Sequence, residues 1–358
     1  MNLSVLHRHR ALRWLVPAGI GGTVAVVAAL GVFQADATQS KNLPRMTPAA
    51  LLADVKAAPT TGFSGTVLSR VALGLPELPA LGGGSGDSTS LAALLSGSHT
   101  LQVWYGGADE QRVALLGAMD ETDIFRSGRQ FWTWNSADRV AQHAVLPARS
   151  EQPGPDPLAS VTPTASPGAL ASRVLAAVSP STQVQVRPGP RVADRDAYDL
   201  TLTPRTDATR VGSVRISVDA STKLPLAVRV YARGATTPSI DVAYTSVRFS
   251  APAKTYFSFS PPAGATVHRL ALGSGAQRLA GHDVRVVGTG WTSILELDTG
   301  KAADVTRGAL KQALTPVSGA WGSGGLLRSS LVTVLVTSKG RVLAGAVEPA
   351  ALYAAAAK

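Results

Sequence analysis

The chain alternates between two hydrophobic periods. Over residues 47–58, TPAALLADVKAA, Leu51, Leu52 and Val55 fall on one side at helical spacing. Thr47 stands at the N-cap, Pro48 at the first helical position and Pro59 just beyond the end, so the segment predicts a short amphipathic helix. From Phe63 the period changes to two: Phe63, Gly65, Val67, Ser69, Val71 and Leu73 alternate with the rest, as on a strand. TLQVWY, QRVALLG, ETDIFRS, RQFWTWN and RVAQHAVLP then follow, parted only by Gly106-Gly107, residues 118–120, Ser127-Gly128 and residues 135–138. Linkers that short join antiparallel hairpins.

A second run of alternation comprises TQVQV, DAYDLTLTP, GSVRISVD, PLAVRVYA and SIDVAYTSVRFS, closing on FSFSPPAGATV. Leu200, Leu202, Ile216, Val228, Val242 and Tyr244 share one phase, while Arg215, Asp219, Arg229 and Asp241 hold the other. Such a sheet has one greasy face that must be covered. The cover on offer is small: the first helix, a second predicted over Leu170–Val178, and one turn at Leu91–Leu95. About ten strands against so little helix leaves closure into a barrel or strong curling around the helices.

Glycine and proline interrupt this pattern in two places, residues 74–99 and 150–168, which are expected as a flexible insertion and a proline-rich linker. From residue 270 to 358 the chain predicts a small α+β extension. It holds HDVRVVG with WTSILELD, a helix over Ala302–Leu314, and a hairpin turning at Lys339-Gly340.

Residues 1–37 carry a basic flank and an uncharged apolar run over residues 14–33, long enough to span a bilayer, then Ala35-Asp36-Ala37, which has the form of a secretory cleavage site. A cleaved signal peptide and a retained anchor remain alternatives, and both put the body outside the cytoplasm. The chain has no cysteine, hence no disulfide and no residue to lipidate as a bacterial lipoprotein. Its net charge of +11 becomes +9 once the three arginines and one aspartate of residues 1–37 are removed. The arginines are scattered singly, which argues against nucleic acid and leaves an anionic membrane surface as a partner.

The opening helix before FSGTV, the pair VWYGGADEQRVALL, then DIFRSGRQFWTWNSADRVAQH, the strand series AYDLTLTP to VRFS and the closing FSFSPPAGATV together resemble the LolA-like superfamily. That superfamily comprises lipoprotein carriers with their MucB/RseB and LppX/LprG-like relatives, and the chain has the form of an exported member of actinobacterial type. The likeness covers residues 44–268. It implies an α+β, mainly β fold: a strongly curved antiparallel half-barrel covering lid helices, with the small C-terminal α+β extension appended. It also implies a cavity for lipid or lipoprotein acyl chains and no enzymatic activity or cofactor. The residues expected to bind ligand are Val67, Val103, Tyr105, Val113, Leu115, Trp132, Trp134, Leu200, Leu202, Ile216, Val228, Val242 and Tyr244. Family carriers use an early-strand arginine as a lid latch, and Arg112 matches it by position; an ordinary solvent-facing arginine is the alternative. The MucB/RseB likeness gives a second function, a membrane-anchored sensor acting on an anti-sigma factor or another membrane protein.

Other chemistry fails on spacing. His99, His143, His268 and His282 are isolated, with no metal-ligand spacing. No G-x-S-x-G occurs, and GTGWTS precedes a strand rather than a helix. Asp120, Glu121 and Asp123 are expected to be solvated turn residues.

Overall fold

In a computed structural model the structure describes residues 35–39, 43–58, 62–74, 96–146, 180–269, 283–298 and 313–358. The apolar run 14–33, the turn at 91–95, the linker 150–168, the helix expected over 170–178 and most of that over 302–314 lie outside these residues.

Helix α1 (Pro48–Ala57) starts as its sequence dictates, with the Thr47 hydroxyl accepting from the Ala50 N–H at 3.2 Å. Leu51, Leu52 and Val55 are buried. The strands are, in chain order, β1 (Ala35–Gln39), β2 (Phe63–Val71), β3 (Gly97–Gly107), β4 (Glu110–Leu116), β5 (Glu121–Ser127), β6 (Gln130–Asn135), β7 (Val140–Val145), β8 (Thr182–Pro188), β9 (Pro190–Val192), β10 (Ala197–Pro204), β11 (Val211–Asp219), β12 (Pro225–Ala232), β13 (Ile240–Arg248) and β14 (Thr266–Arg269).

Twelve of these form one sheet in the order β14-β7-β6-β5-β4-β3-β2-β13-β12-β11-β10-β8. Among the described residues the sheet does not close, so the fold is a mainly β half-barrel type whose outermost strands there are β8 and β14. It consists of two up-and-down meanders, β2 to β7 and β8 to β13, joined where β13 pairs with β2. All neighbours are antiparallel except β14, which runs parallel to β7. At the joining seam Gly65 has no room for a side chain: a Cβ there would lie 2.5 Å from the Ser246 carbonyl oxygen and 2.7 Å from the Tyr244 ring. β1 pairs with β9 in a separate ribbon, and β9 packs against β10, β11 and β13, with Val192 wholly buried.

FSFSPPAGATV is not one closing strand, as its alternation suggests: only its last two residues enter β14. Lys254–Phe257 is a 3₁₀ turn and Phe259 lies in irregular chain. Pro252, Pro261 and Pro262 cannot donate to a ladder, so an apparent period of two cannot be used for pairing here.

The C-terminal part is a six-stranded sheet of order β15-β16-β20-β19-β18-β17, formed by β15 (Asp283–Val287), β16 (Ile294–Asp298), β17 (Thr315–Gly319), β18 (Gly322–Arg328), β19 (Thr333–Thr337) and β20 (Arg341–Gly345). Helix α2 (Pro349–Ala356) packs on β19 and β20, its Leu352 buried against Ile294, Leu335 and Leu343. β17 and α2 go beyond the elements legible in sequence. Pro316, Gly319 and Gly322 gave β17 the look of a turn, and PAALYAAA lacks the polar face that marks a helix.

Candidate functional site

Register decides which side chains meet. In antiparallel pairs directly opposed residues share a face. Val67 opposes Leu101, which opposes Leu115; Val103 opposes Val113, and Tyr105 opposes Phe63. Across the seam Tyr244 opposes Val67, and Val242, Val228, Ile216, Leu200 and Val186 then continue strand by strand to β8. Of the residues expected to bind ligand, Val67, Val103, Tyr105, Val113, Leu115, Leu200, Leu202, Ile216, Val242 and Tyr244 are buried in one hydrophobic cluster, with Val228 half-buried against it. This is the inner face. Phe63 stacks on Tyr105 with centroids 5.2 Å apart and meets Tyr244 edge-on at 6.1 Å. Burial pushes the Tyr244 phenol well above its ordinary range.

α1 lies over this same face. Inward-facing Tyr198 donates its hydroxyl to the Pro44 carbonyl at 3.1 Å, just before the helix. Lys223 reaches Asp54 of α1 at 3.7 Å and sits 5.2 Å from the Tyr198 ring centre.

Trp132, Trp134 and Arg112 are not on the inner face. Because Val113 opposes Ile124 and Ile124 opposes Thr133, the neighbouring positions must point the other way: Arg112 opposes Phe125, Phe125 opposes Trp132, and Asp123 opposes Trp134. Phe131 is the inward ring of that strand, buried with Ile124, Ala144 and Leu146.

On the outer face the aromatic side chains form a packed site of their own. The chain from Ala251 to Ala265 crosses it as a strap. Phe259 stacks on Phe125 at 4.8 Å and touches the rings of Trp132 and Trp134 at 5.4 and 5.8 Å. Tyr256 stacks on Trp104 at 5.5 Å, and Phe257 is buried over Gly106, where a Cβ would stand 2.9 Å from its ring. Arg139 holds the strap's far end through the Ala263 carbonyl at 2.6 Å.

Arg112 lies between Trp104 and Phe125, its guanidinium carbon 4.7 and 4.8 Å from the two ring centres, and its Nε donates to Asp123 Oδ1 at 2.8 Å. Asp123 is thus no solvated turn residue: only 1% of its side chain is exposed. Burial pushes its carboxyl up to about 6, against the pull of Arg112 and with the help of Glu121. Sequence reasoning missed Phe259 and Phe125 as partners of the tryptophans; the one available signal was the period-two phase that Phe125 shares with them.

Farther along the outer face Asp241 is paired with Arg229 at 3.1 Å and Arg70 at 3.8 Å. Burial raises the carboxyls of both Asp199 and Asp241, opposed by the surrounding arginines. Among the described residues no three histidine or carboxylate side chains come together as a metal site.

No family model and no curated protein matches the chain. Among solved structures it is similar to the MucA/MucB complex of Pseudomonas aeruginosa (17% identity, TM-score 0.44, covering 86% of this chain and 94% of that one). It is also similar to an uncharacterized conserved protein from Thermus thermophilus (11%, TM-score 0.36, 63% and 100%). A third is a LolA superfamily protein from Nitrosomonas europaea (15%, TM-score 0.24, 60% and 99%). No residue's role is carried across at these levels.

Proposed function

We propose that the protein is an extracytoplasmic, non-enzymatic binder or carrier of lipid or lipoprotein acyl chains, which lie against the inner face. The supporting observation is the inward apolar face that runs from Val186 on β8 to Val242 on β13 and, one pair along past Ser69, from Tyr244 through Val67 to Leu115 on β4, over which α1 is the one helix among the described residues. Burying a methylene against such a row contributes about 0.8 kcal/mol, so a long acyl chain has ample driving force. Scattered positive charge adds attraction to an anionic membrane surface.

Organic extraction of the purified full chain, followed by mass spectrometry, tests this. Bound acyl lipid is expected, and Val103→Asp, which places a charge on the row, reduces its yield severalfold. A well-folded chain that neither carries nor accepts acyl lipid rejects the reading.

A second reading, a membrane-anchored regulator acting through a membrane protein such as an anti-sigma factor, is supported by the tight union of the C-terminal sheet with the main one. Trp291 donates its indole N–H to Thr182 Oγ1 at 2.8 Å, and Leu331 is buried in the main core. Capture of one specific membrane protein, unchanged by added lipid, favours this reading over the first.

A further inference from the structure

Two polar side chains point into the inner apolar row without complete partners. Ser69, wholly buried, opposes Val242 and has no hydrogen bond to its Oγ. Gln111, 2% exposed, opposes Tyr105 and Arg126. Its Nε2 donates to the Ala108 carbonyl at 2.8 Å, while its Oε1 is buried and accepts nothing. The other buried side-chain atoms without a hydrogen bond among the described residues lie elsewhere: Asp199 and Asp241 on the outer face, Arg210, Ser293 and Glu296 in or beside the C-terminal sheet.

A buried acceptor with no donor is costly, and few are tolerated in a native fold. The two on this face bracket a defined length. Ser69 sits beside His99 on β3 and Gln111 beside Tyr105, six residues farther along, so about 20 Å separates them along the strand direction. Between them lie Val67, Leu101, Val103, Val113 and Leu115, all buried and all apolar. Arg126, next to Gln111, is engaged with Asp109 at 3.1 Å and the Gly128 carbonyl at 3.3 Å, so the Gln111 carbonyl oxygen is the distinguishing group at that end.

We infer that Gln111 Oε1 is the head-group acceptor of the acyl site, selecting a single-chain amphiphile whose head carries a hydrogen-bond donor, a hydroxyl or an amide N–H, with its tail lying along β2, β3 and β4 toward Ser69. This rests on the acyl-binding reading and adds polarity and head-group choice to it.

Affinity of the purified full chain is measured for three probes of equal tail length: 1-monopalmitoylglycerol, hexadecanamide and methyl palmitate. At least one of the first two is expected to bind about tenfold more tightly than the ester, the worth of one buried hydrogen bond. Which of them does so tells a hydroxyl head from an amide one. Gln111→Leu then lowers affinity for the preferred probe about tenfold and erases the preference. Equal affinities for all three, as a water held at Gln111 would give, overturn the inference and leave acyl binding standing. A preference that survives Gln111→Leu does the same. Binding of none of the probes overturns the acyl-binding reading itself. Should Gln111→Leu fail to fold, Gln111→Met, near in size and without the carbonyl acceptor, takes its place, with the same two outcomes.

Discussion

Asp123 carries a charge in a place poorly suited to one. Its carboxyl titrates near 6 in the fold and at 3.8 in the unfolded chain, because burial penalises the anion more than Arg112 rewards it. Between those values the folded chain keeps a proton that the unfolded chain has released. The group's contribution to stability is therefore complete below about pH 4 and is lost as pH rises through 6. Asp123→Asn removes that dependence. The stability of the variant relative to wild type should climb by about 2 kcal/mol between pH 4 and pH 7, read from urea midpoints at each pH. A difference that stays level would place the carboxyl in ordinary solvent. The same residue shows what a sequence withholds. The period of two around Phe131, Trp132 and Trp134 was plain, but not which phase faces inward, since both carry large apolar groups: Ile124 and Phe131 on one, Phe125 and the tryptophans on the other. Only the pairing of Val113 with Ile124, and of Ile124 with Thr133, settles the matter.

The strap is the element that gives the outer aromatics their purpose. Phe259 is the ring common to Phe125, Trp132 and Trp134, and it comes from a segment more than a hundred residues away in sequence. Phe259→Ala should cost about 2 kcal/mol, because the ring is half-buried rather than enclosed. It should also shift tryptophan emission to the red as Trp134 gains water; unchanged emission would mean that the strap does not cover these rings in solution. The antiparallel meanders were legible because short turns and clean alternation leave little else for the chain to do. The strap was not, because alternation in FSFSPP imitates a strand and its prolines alone contradict that. Gln111 was equally hidden: a glutamine on a strand is ordinarily a solvent-facing residue, and burial is a property of the assembled face.

At the scale of the whole molecule, Arg210 ties the two sheets together. Its backbone N–H donates to the Ala346 carbonyl at 2.8 Å, and its guanidinium reaches Glu348 at 2.5 Å and the Ser329 carbonyl at 2.8 Å. Thr209 Oγ1 donates to the same Ala346 carbonyl at 2.7 Å, and the Ser330 N–H to the Leu73 carbonyl at 2.7 Å. Arg210→Ala strips a largely buried cation from this network and should cost about 2 kcal/mol or more, seen as faster proteolysis near residue 330 than in wild type. Equal cleavage rates would show the sheets held by other contacts. The seam between β2 and β13 has a further consequence. It pairs Val71 with Ile240 and Ser64 with Arg248, positions separated by well over a hundred residues, so the largest sheet cannot be completed until nearly all of it has been synthesised. Each meander can zip up locally on its own schedule, yet the half-finished molecule presents two raw margins that can meet only once β13 is in place.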